Sequence, residues 1–540
     1  MRRVGLFALI GLVGFIGLVG LVRLLGPGGQ AAPTDLLRVG NGPEPQALDP
    51  HLTTGTAALN IQRALFEGLV GPHPETLDPQ PAVAERWERD VAGRHYTFYL
   101  REDARWSDGE PVTAGDFVAA WQRALLPEQA APYAEMLYVL KGARAFNQGN
   151  GLPGDLGVRA AGPKRLEVEL AEPVPYFLQL LMHPVWFPVP EHYLPEENGR
   201  EGSWCRPATF CGNGPFVLEE WHPNEFVEVA ANPLYWDSAT VTLSGIRFFA
   251  IDEPAAEERA FLAGQLDVTD ALPPSRVPAY RERRPEVLRI EPYLGTYYLL
   301  ANVREGVLAD PRVRRALSLA IDRRAITEHL LGAGQTPAGG FVPPAMPGYD
   351  PSFAVEHDPA AARRLLAEAG YPEGEGFPGI EYLFNTSESH KRIAEALQEM
   401  WRSELGIHLQ LVNLEWRTYL QRRAESDFQL ARAVWIGDYP EPSTFLHLWR
   451  VDSANNWAGW SHPEYDRLLA TARTEPDPQR RGDLYAEAEA LLLREQAILP
   501  LYHYVTVFLQ DPAVRNWAGN LLDWPVYQHV RLRRPTDPAE

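Results

Sequence analysis

Strand-like and helix-like hydrophobic patterns alternate through most of the chain, and no long linker interrupts them. Tyr96–Leu100 alternates apolar and polar residues as a strand does, and a turn at Asp108–Gly109 follows. Thr113 and Asp116 are spaced as a capping box, which predicts a helix carrying Phe117, Trp121, Ala124 and Leu125 on one face. Leu166, Val168 and Leu170 give a second strand pattern. Asp310 followed by Pro311 is a helix start, with Val313, Ala316, Leu317, Ala320 and Ile321 as the apolar stripe. The same start recurs at Asp358–Pro359, with a stop at Gly370 and Pro372 beyond it. Ser387 to Leu405 has the spacing of a longer helix ended by Gly406. Ile407, Leu409 and Leu411 alternate as a strand, and Phe428 to Ile436 has the pattern of a more buried one. This texture predicts an α/β protein with mixed sheets. For 540 residues the length prior is about three to four domains, and the missing linker predicts domains that are discontinuous in sequence.

The first thirty residues are a separate object. Arg2 and Arg3 precede an uncharged apolar run from Val4 to Val22, and a Gly/Pro-rich stretch follows. This is the pattern of an export signal, with cleavage expected near Ala31 or Ala32. A run of this length also just spans a bilayer, so an uncleaved anchor at the inner membrane is the alternative. No Cys follows the run, which excludes lipid anchoring through an N-terminal Cys. The net charge of −21, from 50 Lys+Arg and 71 Asp+Glu, argues against a nucleic-acid partner. Almost every positive charge is Arg, since Lys141, Lys164 and Lys391 are the only lysines. Guanidinium forks suit bidentate recognition of carboxylates, although the bias is mostly that of a GC-rich genome.

Cys205 and Cys211 are the only cysteines. In an exported protein they predict one structural disulfide, which would stabilise so short a loop by roughly 2 kcal/mol, with two thiols as the alternative. A metal is not expected: more ligands are needed, and the nearest histidines, His192 and His222, lack ligand-like spacing. No HExxH, GxSxG, P-loop or GxGxxG pattern occurs, and no cofactor is expected. A Trp-rich exported α/β chain could still be a glycoside hydrolase working with two carboxylates, but no particular pair stands out.

With "WSDGEPVTAGDFVAAWQRAL" at 106–125 and "ARAVWIGDYPEPSTFL" at 431–446 in the lead, a series of segments resembles the oligopeptide-binding branch of the extracellular solute-binding proteins of ABC importers. They include "ALDPH" at 47–51, "LFEGL" at 65–69, "PAVAERWE" at 81–88, "WSDGEPVTAGDFVAAWQRAL" at 106–125, "EPVPYF" at 172–177 and "NGPF" at 213–216. "PYLGTYY" at 292–298, "RVRRALSLAIDR" at 312–323, "LLAEAGYP" at 365–372, "FNTSESHKR" at 384–392 and "ARAVWIGDYPEPSTFL" at 431–446 continue the series in order. The resemblance implies a type II periplasmic-binding-protein fold: two α/β lobes, a two-stranded hinge and an extra domain. After a signal or anchor at 1–32, the first lobe would comprise 35–66, 193–294 and 506–540. The extra domain would be 67–192, and the second lobe 295–505.

The same resemblance implies a monomeric, non-enzymatic periplasmic receptor that hands oligopeptides to an inner-membrane ABC permease. Murein peptides, dipeptides or another small solute are the alternatives. Asp438 would bind the peptide α-amino group. Val434, Trp435 and Ile436, with Thr54, Gly55 and Thr56 opposite, would pair with the peptide backbone as added strands. Arg423, Arg432 and His390 would meet the peptide carboxylate, according to peptide length. Trp416, Tyr133, Tyr293, Tyr298 and Tyr504 would line the cleft. The family's inter-strand disulfide falls at Gly295 and Ile436 and is therefore absent, and a family His beside Arg423 is Ala424 here.

Overall fold

The computed structural model describes residues 35–196, 203–304 and 306–533; the expected signal or anchor segment lies outside them. Three sheets organise the chain. In the first, Leu36–Gly40 pairs in parallel with Gly245–Phe249, and Phe226–Ala231 and Phe216–His222 follow antiparallel. In the second, Ala84–Arg89, His95–Leu100, Arg165–Glu169 and Val158–Gly162 form an antiparallel sheet. The third has six strands in the spatial order Thr336–Pro337, Ile498–Leu509, Leu288–Ala301, Leu430–Ile436, Ile380–Asn385 and Leu409–Leu414. The architecture is thus α/β, as the alternation predicts.

Two of these strands are long. Leu288–Ala301 and Ile498–Leu509 pair antiparallel from Leu288↔Leu509 at one end to Leu300↔Ile498 at the other, with register shifts between Pro292 and Thr296 and between Tyr297 and Tyr298. Their outer ends pack with Phe261, Leu272, Val277 and Tyr280. Their inner ends belong to the six-stranded sheet, under Leu317, Leu397 and Trp401. This pair is a two-stranded connection of the kind a hinge needs.

Local signals place the helices. Thr113 caps Ala114–Leu125 with a complete capping box, and Phe117, Trp121, Ala124 and Leu125 are buried. Asp116 does more than close the box: Oδ2 accepts from Thr113 N at 2.7 Å, and Oδ1 accepts from Glu191 N at 3.0 Å. Asp116→Ala should therefore lower unfolding stability by about 2 kcal/mol, above the ~1 kcal/mol of an ordinary cap, in urea denaturation. Asp310 and Asp358 cap Pro311–Leu319 and Pro359–Glu368 through Arg312 N and Ala361 N. Glu388–Leu405 ends on Gly406, whose φ of 68° is the left-handed conformation that favours glycine.

One expectation is corrected. Cys205 and Cys211 are both buried thiols with no bond between them. The Cys211 thiol is instead directed at the turn before the capped helix, where Ser107 and Asp108 hydrogen-bond it. Thr54 and Gly55 are exposed chain outside the sheets, Gly55 with extended dihedrals (φ −86°, ψ 142°), and Thr56 opens the helix Thr56–Leu65. The helical periodicity that starts at Thr56 ends any extended segment there. Among the described residues no helix is long and apolar enough to cross a membrane.

Candidate functional site

The central element is Leu430–Ile436. On one side it pairs antiparallel with Leu288–Ala301 along its whole length, from Ala301↔Leu430 to Gly295↔Ile436. On the other it pairs with Ile380–Asn385 only at Tyr382↔Leu430 and Leu383↔Ala431. Past Ala431 that second edge has no strand. Gly437 N donates to Leu294 O at 2.8 Å, which fixes the phase of the antiparallel ladder. By alternation, Ala433 and Trp435 bond the neighbouring strand, while Val434 and Ile436 turn their N–H and C=O groups to the vacant edge. Residue Arg432 shares that edge, and its carbonyl accepts from the Tyr419 hydroxyl.

Beyond Ile436 the chain enters the turn Gly437–Pro442, stiffened by Pro440 and Pro442. Asp438 N donates to Thr444 Oγ1 at 3.2 Å, and Glu441 Oε2 accepts from Ser443 N at 2.8 Å. The Asp438 carboxyl itself has no hydrogen-bond donor among the described residues, and burial pushes its pKa up to about 6. It faces a cavity of about 1040 Å³, whose walls include Tyr133, Met136 and Tyr176 on one side and Trp435, Tyr439 and His447 on the other. The volume is ample for a small ligand. Two contacts cross beside it: Tyr176 stacks on Tyr439 at 5.6 Å, and Glu172 pairs with Arg473 at 2.7 Å.

The other end of the strand is positive. Arg432 is buried, its guanidinium carbon 5.4 Å from the Tyr297 ring. Arg423, near the end of the helix Trp416–Ala424, lies 4.2 Å over Trp457 and 5.6 Å from Tyr419. Both Nε atoms are buried without a hydrogen-bond partner, and neither guanidinium has a carboxylate partner among the described residues. His390 lies with them: burial first, and then Arg432, push its pKa down to about 4, so the ring is neutral, and its Nδ1 is buried without a partner. A buried cation without an anion is costly. An arriving carboxylate would relieve that cost.

The aromatics divide. Tyr133 is half-buried against His183 and opposite Asp438; burial, and then the Asp438 charge, push its pKa up to about 12. Tyr293 and Tyr504 are half-buried, the Tyr504 ring tilted against Tyr502 with centroids 5.1 Å apart. Trp416 is 49% exposed and stacks on Tyr419, an accessible flat face. Tyr298 does not join them: it is buried, with its ring edge-on to Phe341 and Trp449. Side chains alternate along a strand, and Arg432 stands opposite Leu299. The Arg432 face is therefore that of Tyr297 rather than Tyr298. Sequence reasoning missed Tyr297, Tyr382 and Tyr419, which surround Arg432. The register could have found Tyr297; nothing local marks the other two.

The chain matches the family model of the bacterial extracellular solute-binding proteins, family 5, over residues 78–457. It is 38% identical over 501 residues to the periplasmic oligopeptide-binding protein OppA of Salmonella typhimurium, covering 91% of each chain. It is likewise 38% identical over 485 residues to the periplasmic murein peptide-binding protein MppA of Escherichia coli, covering 88% of this chain and 89% of that one. Among solved structures, the MppA murein tripeptide-binding protein in its unliganded open form superposes with a TM-score of 0.81 at 36% identity, covering 93% of this chain and 98% of that one.

Proposed function

The chain belongs to the bacterial extracellular solute-binding proteins of family 5, and on that premise we propose that it captures oligopeptides outside the cytoplasm and delivers them to an ABC permease. The observation that carries this reading is the vacant strand edge at Val434 and Ile436, flanked by a carboxylate without a donor at Asp438 and by guanidiniums without a carboxylate partner among the described residues at Arg432 and Arg423. A peptide laid antiparallel along that edge exchanges backbone hydrogen bonds at Val434 and Ile436, two residues apart, whatever its side chains. Its ammonium end then reaches Asp438 and its carboxylate end the Arg432 side. Asp438 lies six residue steps from Arg432, at most about 20 Å when extended, which suits peptides of about three to five residues. Trp416, Tyr133, Tyr293 and Tyr504 give the side chains flat, wettable walls.

The proposed division follows the sheets: a first lobe of 35–66, 193–294 and 506–540, an extra domain of 67–192, and a second lobe of 295–505, hinged by the two long strands. The receptor acts as a monomer beside the inner membrane. The relatives named above are binding proteins, so the glycoside hydrolase alternative is set aside. Murein peptides remain a second reading, favoured by two guanidiniums that have no carboxylate partner among the described residues, since such peptides carry more than one carboxylate. Mass spectrometry of the purified, denatured protein tests the proposal: released peptides of two to five residues support it and their composition separates the two readings. A preparation that carries no peptide and binds none in calorimetry overturns it.

Acidification gives a second test. In the unliganded protein Asp438 is pushed up to about 6 by burial, whereas a bound ammonium holds it ionised. Below pH 6 binding must expel a proton, so affinity should fall about tenfold per pH unit, and this slope should vanish in Asp438→Asn. Stability runs the other way. The folded pKa lies above the unfolded value, so this group's contribution to stability is present below about pH 4 and is lost as pH rises through 6. The unliganded protein thus gains stability from Asp438 on acidification while peptide affinity drops.

A further inference from the structure

Three donor-bearing side chains that lie far apart in sequence meet at the turn that precedes the helix Ala114–Leu125. The Sγ of Cys211, one imidazole nitrogen of His192 and one carboxylate oxygen of Asp108 all lie within 4.8 Å of one another. Three stretches of chain bring them there, and the backbone ties two of these together. Ser107 N donates to Gly212 O at 2.8 Å, and Gly212 N donates to Ser107 Oγ at 3.2 Å. His192 Nε2 already hydrogen-bonds Asp108 Oδ2 at 2.7 Å. Cys211 is fully buried, whereas the Asp108 and His192 side chains are 27% and 37% exposed, so the cluster is closed behind and open to solvent in front.

We propose that Cys211, His192 and Asp108 bind one divalent transition-metal ion of the zinc type, with water in the fourth position. A thiolate beside an imidazole selects zinc or cobalt over calcium and magnesium, which require sets of oxygen ligands. Tetrahedral bonds of about 2.0–2.3 Å set the donor atoms about 3.3–3.5 Å apart. The His192–Asp108 contact must therefore open by roughly half an ångström and the sulfur draw closer, adjustments that two partly exposed side chains can make. On binding, the Cys211 S–H bond breaks and its proton leaves to solvent; the Nε2 proton that His192 donates to Asp108 is given up through solvent to Nδ1, and the His192–Asp108 hydrogen bond is replaced by two metal–ligand bonds.

The ion would staple the turn at 108, the segment at 192 and the loop at 211. That loop runs directly into Asn213 and Gly214, which hold the end of the helix Thr56–Leu65: Gly214 N donates to Leu65 O at 3.0 Å, and Asn213 Oδ1 accepts from Glu67 N at 3.1 Å. The metal would thus stiffen the junction between two parts of the chain. It also gives the Cys211 sulfur, which forms no bridge with Cys205, a structural task.

The test uses the full exported chain, reduced and stripped with chelator, then titrated with Co²⁺ and Zn²⁺. The expected result is one Co²⁺ per chain with a thiolate-to-cobalt charge-transfer band and tetrahedral visible bands, displaced by Zn²⁺. Cys205→Ser should keep the signal, while Cys211→Ser should lose the charge-transfer band and weaken binding at least a hundredfold. His192→Ala should weaken binding at least tenfold, with circular dichroism showing each variant folded. A Cys205→Ser protein without the charge-transfer band overturns the proposal, as does binding indifferent to Cys211→Ser and His192→Ala. A Cys205–Cys211 disulfide in protein isolated from the exported fraction overturns it as well.

Discussion

Asp438→Ala should weaken the binding of a tripeptide with a free amino terminus by a factor on the order of 10² to 10³, measured by titration calorimetry at pH 7. The Asp438 carboxyl has no donor of its own among the described residues, so a ligand ammonium would be its first partner. Truncating one member of a buried charge pair costs about 3–5 kcal/mol, and about 1.4 kcal/mol is tenfold in affinity. An N-acetylated peptide, which has no ammonium, should bind the wild type weakly and lose little further in the variant. The folded state should not suffer, because the turn is held by its backbone through Thr444 and by Glu441 rather than by the Asp438 side chain. A loss of less than fivefold would remove Asp438 from the site.

Arg432→Met should have the second largest effect, with a combination of outcomes that misfolding cannot imitate. Peptide affinity should drop about a hundredfold or more, because the ligand carboxylate would enter a buried region with its cation gone. Unliganded stability should hold or rise, since the change removes a buried guanidinium that has no carboxylate partner and leaves an apolar chain among tyrosine rings. The diagnostic comparison is between each peptide acid and its C-terminal amide, over lengths of three to five residues. The wild type should discriminate strongly against the amide at the length that reaches Arg432, and Arg432→Met should not. If the variant discriminates as the wild type does, the carboxylate goes to Arg423 or His390 instead. The tyrosines would also make Arg432→Lys a poor substitute: an ammonium offers no planar fork, and its hydration is costlier to remove.

The sequence by itself determined what depends on spacing along the chain. Helix starts at Thr113, Asp310 and Asp358 and the stop at Gly406 were legible because caps act over three or four residues. The chemistry at the two ends of the site was legible too, since a carboxylate suits an ammonium and a guanidinium a carboxylate wherever they sit. Tertiary structure decided the rest, because the relevant partners are distant in sequence. Only sheet order shows that Ile380–Asn385 stops pairing at Ala431 and leaves Val434 and Ile436 exposed at an edge. Only register places Tyr297 rather than Tyr298 beside Arg432. Of residues 54–56, matched by motif, only Thr56 enters a helix, because the apolar stripe begins there, while Gly55 before it stays extended. The cysteines show the limit most clearly. Their spacing in the sequence pointed to each other, whereas the fold turned one of them toward Asp108 and His192, a neighbourhood that no local pattern records.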